Sequence, residues 1–399
     1  MRNRRPKLTI VSFAAAGILV AAFAVSAQVS QEAFRKILTG PAAFTDADMA
    51  ALGKGETVVR TVRGSEKREV EIFGAVRVKN LPDLTIDMFR LAMTQKNNKL
   101  TLAQGKFSTP PVLADIQPLK LDKHDFEDLR ECAVGNCLIK LPAAMIKRLQ
   151  AEIDWNAADA EDKVSALLEQ FLVDYVYDYL ARGDLALMQY DDQLKPLRLA
   201  DEYKELTEGS VFLDALAPEF KKYLASFPRT ELKGVDNSVF WTKLTFGLKP
   251  MVSITHSTAY DRRVDTAPMF LIATKQIYAS RYIDSSLALS MFITVKGDAG
   301  AESFLVFTDV SRADALAGAF SGVKHAVVER EAVEKATDLL ERAKGRLEKK
   351  PAPAGQAEND GTETMSDMAI EILKHPVMLG VGFLFFAGLI LFAYGRLKK

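Results

Sequence analysis

Met251-Val-Ser-Ile-Thr-His-Ser-Thr-Ala-Tyr260 and Met269-Phe-Leu-Ile-Ala-Thr-Lys-Gln-Ile-Tyr278 decide the fold of this chain. Both read as β-strands, rich in β-branched and aromatic residues, and the charged Asp261-Arg262-Arg263 between them reads as a hairpin connection. Further strands flank the pair: Phe240 to Leu248 before it, and Ala288 to Val295 and Phe304 to Thr308 after it, the last two joined through Lys296-Gly297-Asp298-Ala299-Gly300. Such a succession predicts an antiparallel sheet.

The densest polar chemistry falls in the same stretch, where His256, Tyr260, Lys275, Gln276, Tyr278, Arg281, Tyr282 and Asp284 lie in strands or at their ends. Alternation from Lys275 places Gln276, Tyr278, Ser280, Tyr282 and Asp284 on one face and Ile277, Ala279, Arg281 and Ile283 on the other. A row of Gln, Tyr, Ser and Tyr suits an apolar ligand cavity with a few placed polar groups. A solvated sheet face is the alternative. The candidate ligand-binding residues are therefore His256, Tyr260, Gln276, Tyr278 and Tyr282.

Downstream, the stripe Val333, Ala336, Leu339, Leu340, Ala343 and Leu347 predicts an amphipathic helix from about Arg330 to Glu348. Upstream, Gln31 to Leu38 and Thr45 to Leu52 read as short helices, and Thr57 to Arg63 with Arg68 to Val78 as a hairpin turning at Gly64-Ser65. Leu84 to Met93 returns to helical spacing and Leu100 to Phe107 is extended. Residues 123–227 are helical, their longest element running from Lys163 to Ala181 and closed by Gly183. Arg182-Gly183-Asp184 matches an integrin-binding string, but a C-cap glycine accounts for it.

The ends set the expected topology. Arg2, Arg4, Arg5 and Lys7 precede an apolar run from Leu8 to Val25, and small residues Val25 and Ala27 precede Gln28, as in a signal peptide cleaved after Ala27; an uncleaved signal anchor is the alternative. The uncharged run Pro376 to Tyr394 is long enough, at about 1.5 Å per residue, to cross a bilayer. Arg396, Lys398 and Lys399 behind it place the C-terminus in the cytoplasm. The expected organisation is a signal peptide (1–27), the N-terminal part of an α+β domain (28–122), a helical insertion (123–227), the C-terminal sheet and helix (228–349), a Pro/Ala/Gly-rich linker (350–367), and a membrane anchor with its cytoplasmic tail (368–399). The main domain would then be periplasmic or otherwise extracytoplasmic.

Lys plus Arg and Asp plus Glu number 52 each, so nothing in the charge balance points to nucleic acid. Cys132 and Cys137 are the only cysteines and bracket Gly135-Asn136, which in an oxidising compartment predicts a small disulfide loop.

Val70-Glu-Ile-Phe-Gly-Ala-Val-Arg-Val78 followed by Leu81-Pro-Asp-Leu-Thr-Ile-Asp-Met-Phe89, then Phe304-Leu-Val-Phe-Thr-Asp309 leading through Phe320-Ser-Gly-Val-Lys324 to the last helix, give an element order. Over about half the chain it resembles the helix-grip fold of START-like, polyketide-cyclase-type binders of lipids and hydrophobic ligands. That resemblance implies a curved antiparallel sheet around a long C-terminal helix with an enclosed cavity, the helical stretch being an insertion that departs from the family plan. Tyr190-Asp-Asp-Gln193, Phe246-Gly-Leu-Lys-Pro250 and Lys275-Gln-Ile-Tyr-Ala-Ser280 also resemble a group of exported bacterial proteins of unassigned function. That second likeness implies no activity.

The sequence lacks G-x-S-x-G, H-E-x-x-H, Walker A and G-x-G-x-x-G patterns, and its four histidines are scattered, so no catalytic residue, metal site or cofactor is assigned. Two functions stand: a membrane-anchored domain that binds a lipid or other hydrophobic small molecule, and an envelope scaffold or assembly protein with a protein partner. An enzyme using His256 as general base, with Lys275 or Tyr278 as its partner, comes third.

Overall fold

The computed structural model describes residues 29–349 except 65, 80, 82, 94–99, 246–248, 265–266, 298–299 and 318–320. The expected signal segment and membrane anchor lie outside the described residues. Among those residues no helix is long and apolar enough to cross a membrane.

In chain order the elements are α1 (Gln31–Thr39), α2 (Asp46–Gly53), β1 (Val58–Arg63), β2 (Glu69–Val78), α3 (Ile86–Ala92) and β3 (Thr101–Lys106). There follow α4 (Lys123–Arg130), α5 (Ala143–Glu152), α6 (Ala160–Arg182), the two-residue strands β4 (Gln189–Tyr190) and β5 (Leu197–Arg198), α7 (Leu199–Glu208), α8 (Val211–Leu216) and α9 (Pro218–Ser226). The chain then runs through β6 (Val235–Leu244), β7 (Met251–Val264), β8 (Ala267–Ala279), β9 (Ser285–Gly297), β10 (Gly300–Arg312) and α10 (Ser321–Glu348). Thr45 caps α2 in a full capping box with Asp48, and Thr85 caps α3. Gly183 ends α6 at φ +60°, where a Cβ would collide with the Phe227 carbonyl, so glycine is required there.

The fold is α+β: a large curved antiparallel sheet and a C-terminal helix. Its eight strands follow the order β1-β2-β10-β9-β8-β7-β6-β3. The helices α4 to α9 all fall between β3 and β6, which are hydrogen-bonded neighbours at the sheet edge. Two corrections to the sequence reading concern lengths. Asp261-Arg262-Arg263 is not a connection but the continuation of β7, paired with Phe270, Met269 and Pro268 of β8. Helix α10 begins at Ser321, nine residues before the predicted start.

Period-two alternation gives the sheet two apolar faces. One carries Phe73, Val252, Ile254, Leu271, Leu289, Met291 and Val306 and packs against α1 and α6 to α9 through Phe34, Leu172, Tyr179, Tyr203, Phe212 and Phe220. The other carries Ile72, Val76, Phe270, Ile272, Phe292, Leu305 and Phe307 and packs against α3 and α10 through Phe89, Ala336, Leu339, Leu340 and Ala343. Helix α10 lies over β1, β2 and β10, and it comes so close at Gly74 that a Cβ there would sit 2.7 Å from the Leu340 Cδ1. Helix α3 lies over β7 and β8, with Phe89 stacked on Phe270 at 6.1 Å between ring centroids.

The described chain enters and leaves at one end of this sheet. The Lys296 amide donates to the Val29 carbonyl (3.2 Å), and the Lys79 amide donates to the Glu348 carboxylate (2.9 Å). Both contacts lie near the β9–β10 turn, where Lys296 pairs with Ala301 and Val78 with Ser303.

Candidate functional site

The five sequence candidates are not brought together. Strand β8 carries a bulge: Gln276 pairs with Thr255 and Tyr278 with Ile254, so Ile277 is the extra residue. Ile277 and Tyr278 both turn toward the helical layer, whereas Gln276 remains on the α10 face. This overturns the single-face alternation predicted from Lys275. Three tyrosines of the helical region meet the backbone that the bulge displaces: Tyr175 Oη donates to the Ile277 carbonyl (2.6 Å), Tyr203 Oη donates to the Gln276 carbonyl, and the Ala279 amide donates to Tyr190 Oη (3.0 Å). Tyr282 lies beyond the strand in a turn at φ +65°, its hydroxyl donating to the Lys249 carbonyl (3.2 Å).

On the helical side, His256 is sealed. Its Nδ1 lies 2.8 Å from Tyr179 Oη, its Nε2 lies 2.9 Å from Asn237 Oδ1, and the Phe227 ring sits 4.5 Å from the imidazole. Burial, reinforced by Lys275, pushes His256 down to about 3, so it stays neutral. Lys275, its cross-strand neighbour, is ion-paired with Asp184 and lies 4.5 Å from the Tyr203 ring centroid. Tyr260 stacks on Phe220 at 5.2 Å, and its hydroxyl donates to Glu219 (3.3 Å). Tyr278 borders a cavity of only about 30 Å³ with Leu119, Leu172 and Val252. That is room for a water molecule, not for a lipid.

The end of the sheet away from Val29 and Glu348 is tied by ion pairs, most of them between buried groups. Arg312 reaches Glu69 (2.8 Å), Glu202 (3.1 Å) and Glu205 (2.8 Å), while Arg68 reaches Glu202 (2.6 Å) and Asp284 (3.4 Å). Lys140 reaches Asp284 (2.8 Å), and Arg281 reaches Asp125 (2.8 Å) and Asp128 (2.7 Å). Arg281 and Asp284, on this account, anchor the turn after β8. A cleft of about 210 Å³ opens beside the network, with Glu69, Glu71 and Glu205 in its wall. Burial, and then Glu69, push Glu71 up to about 7. Cys132 and Cys137 are disulfide-bonded, and the amides of Gly135 and Cys137 in and beside that loop donate to the Asp191 (2.8 Å) and Asp192 (2.9 Å) carbonyls.

The opposite face holds the group of residues that the sequence reading passed over. On β7, Ser253, Thr255 and Ser257 alternate with Val252, Ile254 and His256 and so point toward the α10 side, in line with Met251 and Ala259. Register carries the pattern across the sheet: Ser257 lies opposite Thr274, Thr274 opposite Ala288, and Ala288 opposite Asp309, with Thr255 opposite Gln276 and Ser286 opposite Ser311 alongside. The result is a floor of small and polar side chains beyond the Phe89–Phe270–Phe292 cluster. All of these residues are buried. Four of their atoms have no hydrogen-bond partner among the described residues: Ser253 Oγ, Ser257 Oγ, Gln276 Oε1 and Asp309 Oδ2. The residues that bear them are no more than 3% exposed. Asp309 Oδ1 accepts from Ser311 (2.8 Å) and Ser286 (3.3 Å), and burial pushes this carboxyl up to about 7 against those two bonds. The signal available in the sequence was the i, i+2 run of Ser253, Thr255, Ser257 and Ala259, where a packed core would place large apolar groups.

Among the described residues no cluster of His, Cys, Asp and Glu is arranged to hold a metal ion. No protein-family model matches the chain, and no curated protein matches it significantly.

Proposed function

We propose that this chain is a membrane-anchored, exported ligand-binding protein that holds a lipid or other hydrophobic small molecule on the sheet face that α3 and the C-terminal helix share, in the manner of helix-grip proteins. One observation carries the reading: four polar atoms without partners among the described residues lie on one buried face, on β7, β8 and β10. Each such group costs about 1–3 kcal/mol if nothing pairs with it, so four on a single face are accounted for by a ligand that meets them. Phe270, Phe292, Phe307 and Leu316 on the same face supply apolar surface beside a few polar groups, the usual composition of a small-molecule site. The candidate residues of this site are Ser253, Ser257, Gln276 and Asp309, and of the sequence candidates only Gln276 belongs to it.

Native mass spectrometry with organic extraction of the full chain tests the reading. A co-purifying apolar molecule is expected, lost in Ser253→Val/Ser257→Val and retained in Tyr260→Phe, which alters the opposite face. A molecule held equally by all three proteins would place the site elsewhere.

A second reading, an envelope scaffold, is favoured by one surface. Val134, Leu138 and Leu194 are exposed around the disulfide loop, Leu194 at 94%. Leu194→Lys leaving crosslinked assemblies unchanged in cells would remove that surface from consideration.

A further inference from the structure

The unpartnered atoms of the floor restrict what a ligand there can carry. Gln276 Oε1 is an acceptor only, and the hydroxyls of Ser253 and Ser257 serve either as donors or as acceptors. Asp309 Oδ2 is an acceptor when ionised. Among the described residues Asp309 forms no ion pair, and it is held by the hydroxyls of Ser286 and Ser311. A carboxylate or phosphate brought to this face would lose its hydration beside the Asp309 carboxyl, which has no ion-pair partner among the described residues. An ester or ether head offers only lone pairs, and Gln276 Oε1 would face them with lone pairs of its own.

We infer that the ligand's head group donates hydrogen bonds, as hydroxyl or amine groups do, and carries no negative charge. Gln276 Oε1 accepts from it, as does Asp309 Oδ2 when ionised; Ser253 and Ser257, about 13 Å apart along β7, stand on either side of the Gln276 row, and the apolar body lies along the aromatic cluster. The inference rests on the reading that a ligand occupies this face, and the two fail differently.

The test compares three probes with one acyl chain on the full chain in non-ionic detergent: monopalmitoylglycerol, methyl palmitate and palmitate, by displacement of a fluorescent fatty alcohol. Monopalmitoylglycerol is expected to bind at least about tenfold more tightly than the other two, since one satisfied buried hydrogen bond is worth about 1.4 kcal/mol, a factor of ten. Gln276→Met, similar in size but without the acceptor, should reduce that preference several-fold and leave methyl palmitate unchanged. Hexadecylamine matching monopalmitoylglycerol supports the same donor chemistry. Equal binding of all three acyl probes, or palmitate binding most tightly, overturns the donor-head inference and leaves ligand binding standing. If neither the fluorescent alcohol nor any probe binds, the ligand-binding reading itself is lost.

Discussion

Gln276 and Tyr278 stand two residues apart on β8 and point to opposite faces of the sheet. The bulged Ile277 between them sends Tyr278 into the packed helical layer and leaves Gln276 with the serines of β7. Deleting Ile277 would restore plain alternation and leave Gln276, Tyr278 and Ala279 on their present faces, because Tyr278 already pairs with Ile254 and Ala279 with Ser253. The deletion should nonetheless lower the urea midpoint, by about 2–4 kcal/mol of stability, because a fully buried isoleucine and the carbonyl that Tyr175 Oη donates to are lost together. Circular dichroism during urea titration reads this directly, and a sharp, unshifted transition would contradict it.

His256 predicts an acid-side loss of stability. Its folded value of about 3 lies below the unfolded 6.5, so between those limits the unfolded chain takes up a proton that the folded chain refuses. The contribution is complete above pH 6.5 and falls with pH by about 1.4 kcal/mol per unit. Urea midpoints for wild type and His256→Gln should converge as pH falls from about 7.5 to about 5. Parallel curves would exclude His256 as the source.

Asp309 has the opposite sign. Its carboxyl is raised from 3.8 to about 7, so its contribution is full below pH 3.8 and is lost as pH rises through about 7. Asp309→Asn, which cannot ionise, should be more stable than wild type at about pH 8, by on the order of 2 kcal/mol, and equal to it near pH 4. Thermal unfolding at the two pH values is sufficient, and a loss of stability at high pH would show that the ionised form is paired.

Arg312 holds three carboxylates, two of them on buried residues. Arg312→Ala removes the cation that Glu69 and Glu202 share, leaves Arg68 beside Glu202, and should cost up to about 3 kcal/mol. Adding Glu202→Ala should recover part of this in a double-mutant cycle of denaturant midpoints. Strict additivity would show that the two side chains act separately.

The disulfide closes a short loop, and its removal by Cys132→Ser/Cys137→Ser should cost about 2 kcal/mol. The effect should be local. Hydrogen exchange is expected to accelerate at the Gly135 and Cys137 amides, which bond to the Asp191 and Asp192 carbonyls, and to stay unchanged along β7 and β8. Global acceleration would make the bridge a determinant of the whole fold.

Much of the framework was legible because alternation and capping are local. Thr45, Thr85 and Gly183 announce helix ends, and Val58 to Val78 read as a hairpin that the structure pairs residue by residue. Strand ends were less so: Asp261, Arg262 and Arg263 look like a turn, but pairing with β8 carries the strand through them. The bulge at Ile277 has no local signature, since it is specified by tyrosines up to about a hundred residues away. Asp309 fell just past a strand read as ending at Thr308, because nothing in the local sequence shows that Ala288, Thr274 and Ser257 continue its row.

Because Val29 and Glu348 both meet the sheet beside the β9–β10 turn, the domain has a near pole and a far pole. Ser303 marks the first and Asp309 the second, six residues along β10, or about 20 Å at the usual rise per residue. Any anchorage acting through either end of the chain pulls on the near pole alone. The floor and the ion-paired turn after β8 stand at the far pole, so a pull on Val29 or Glu348 reaches them only through the length of the strands.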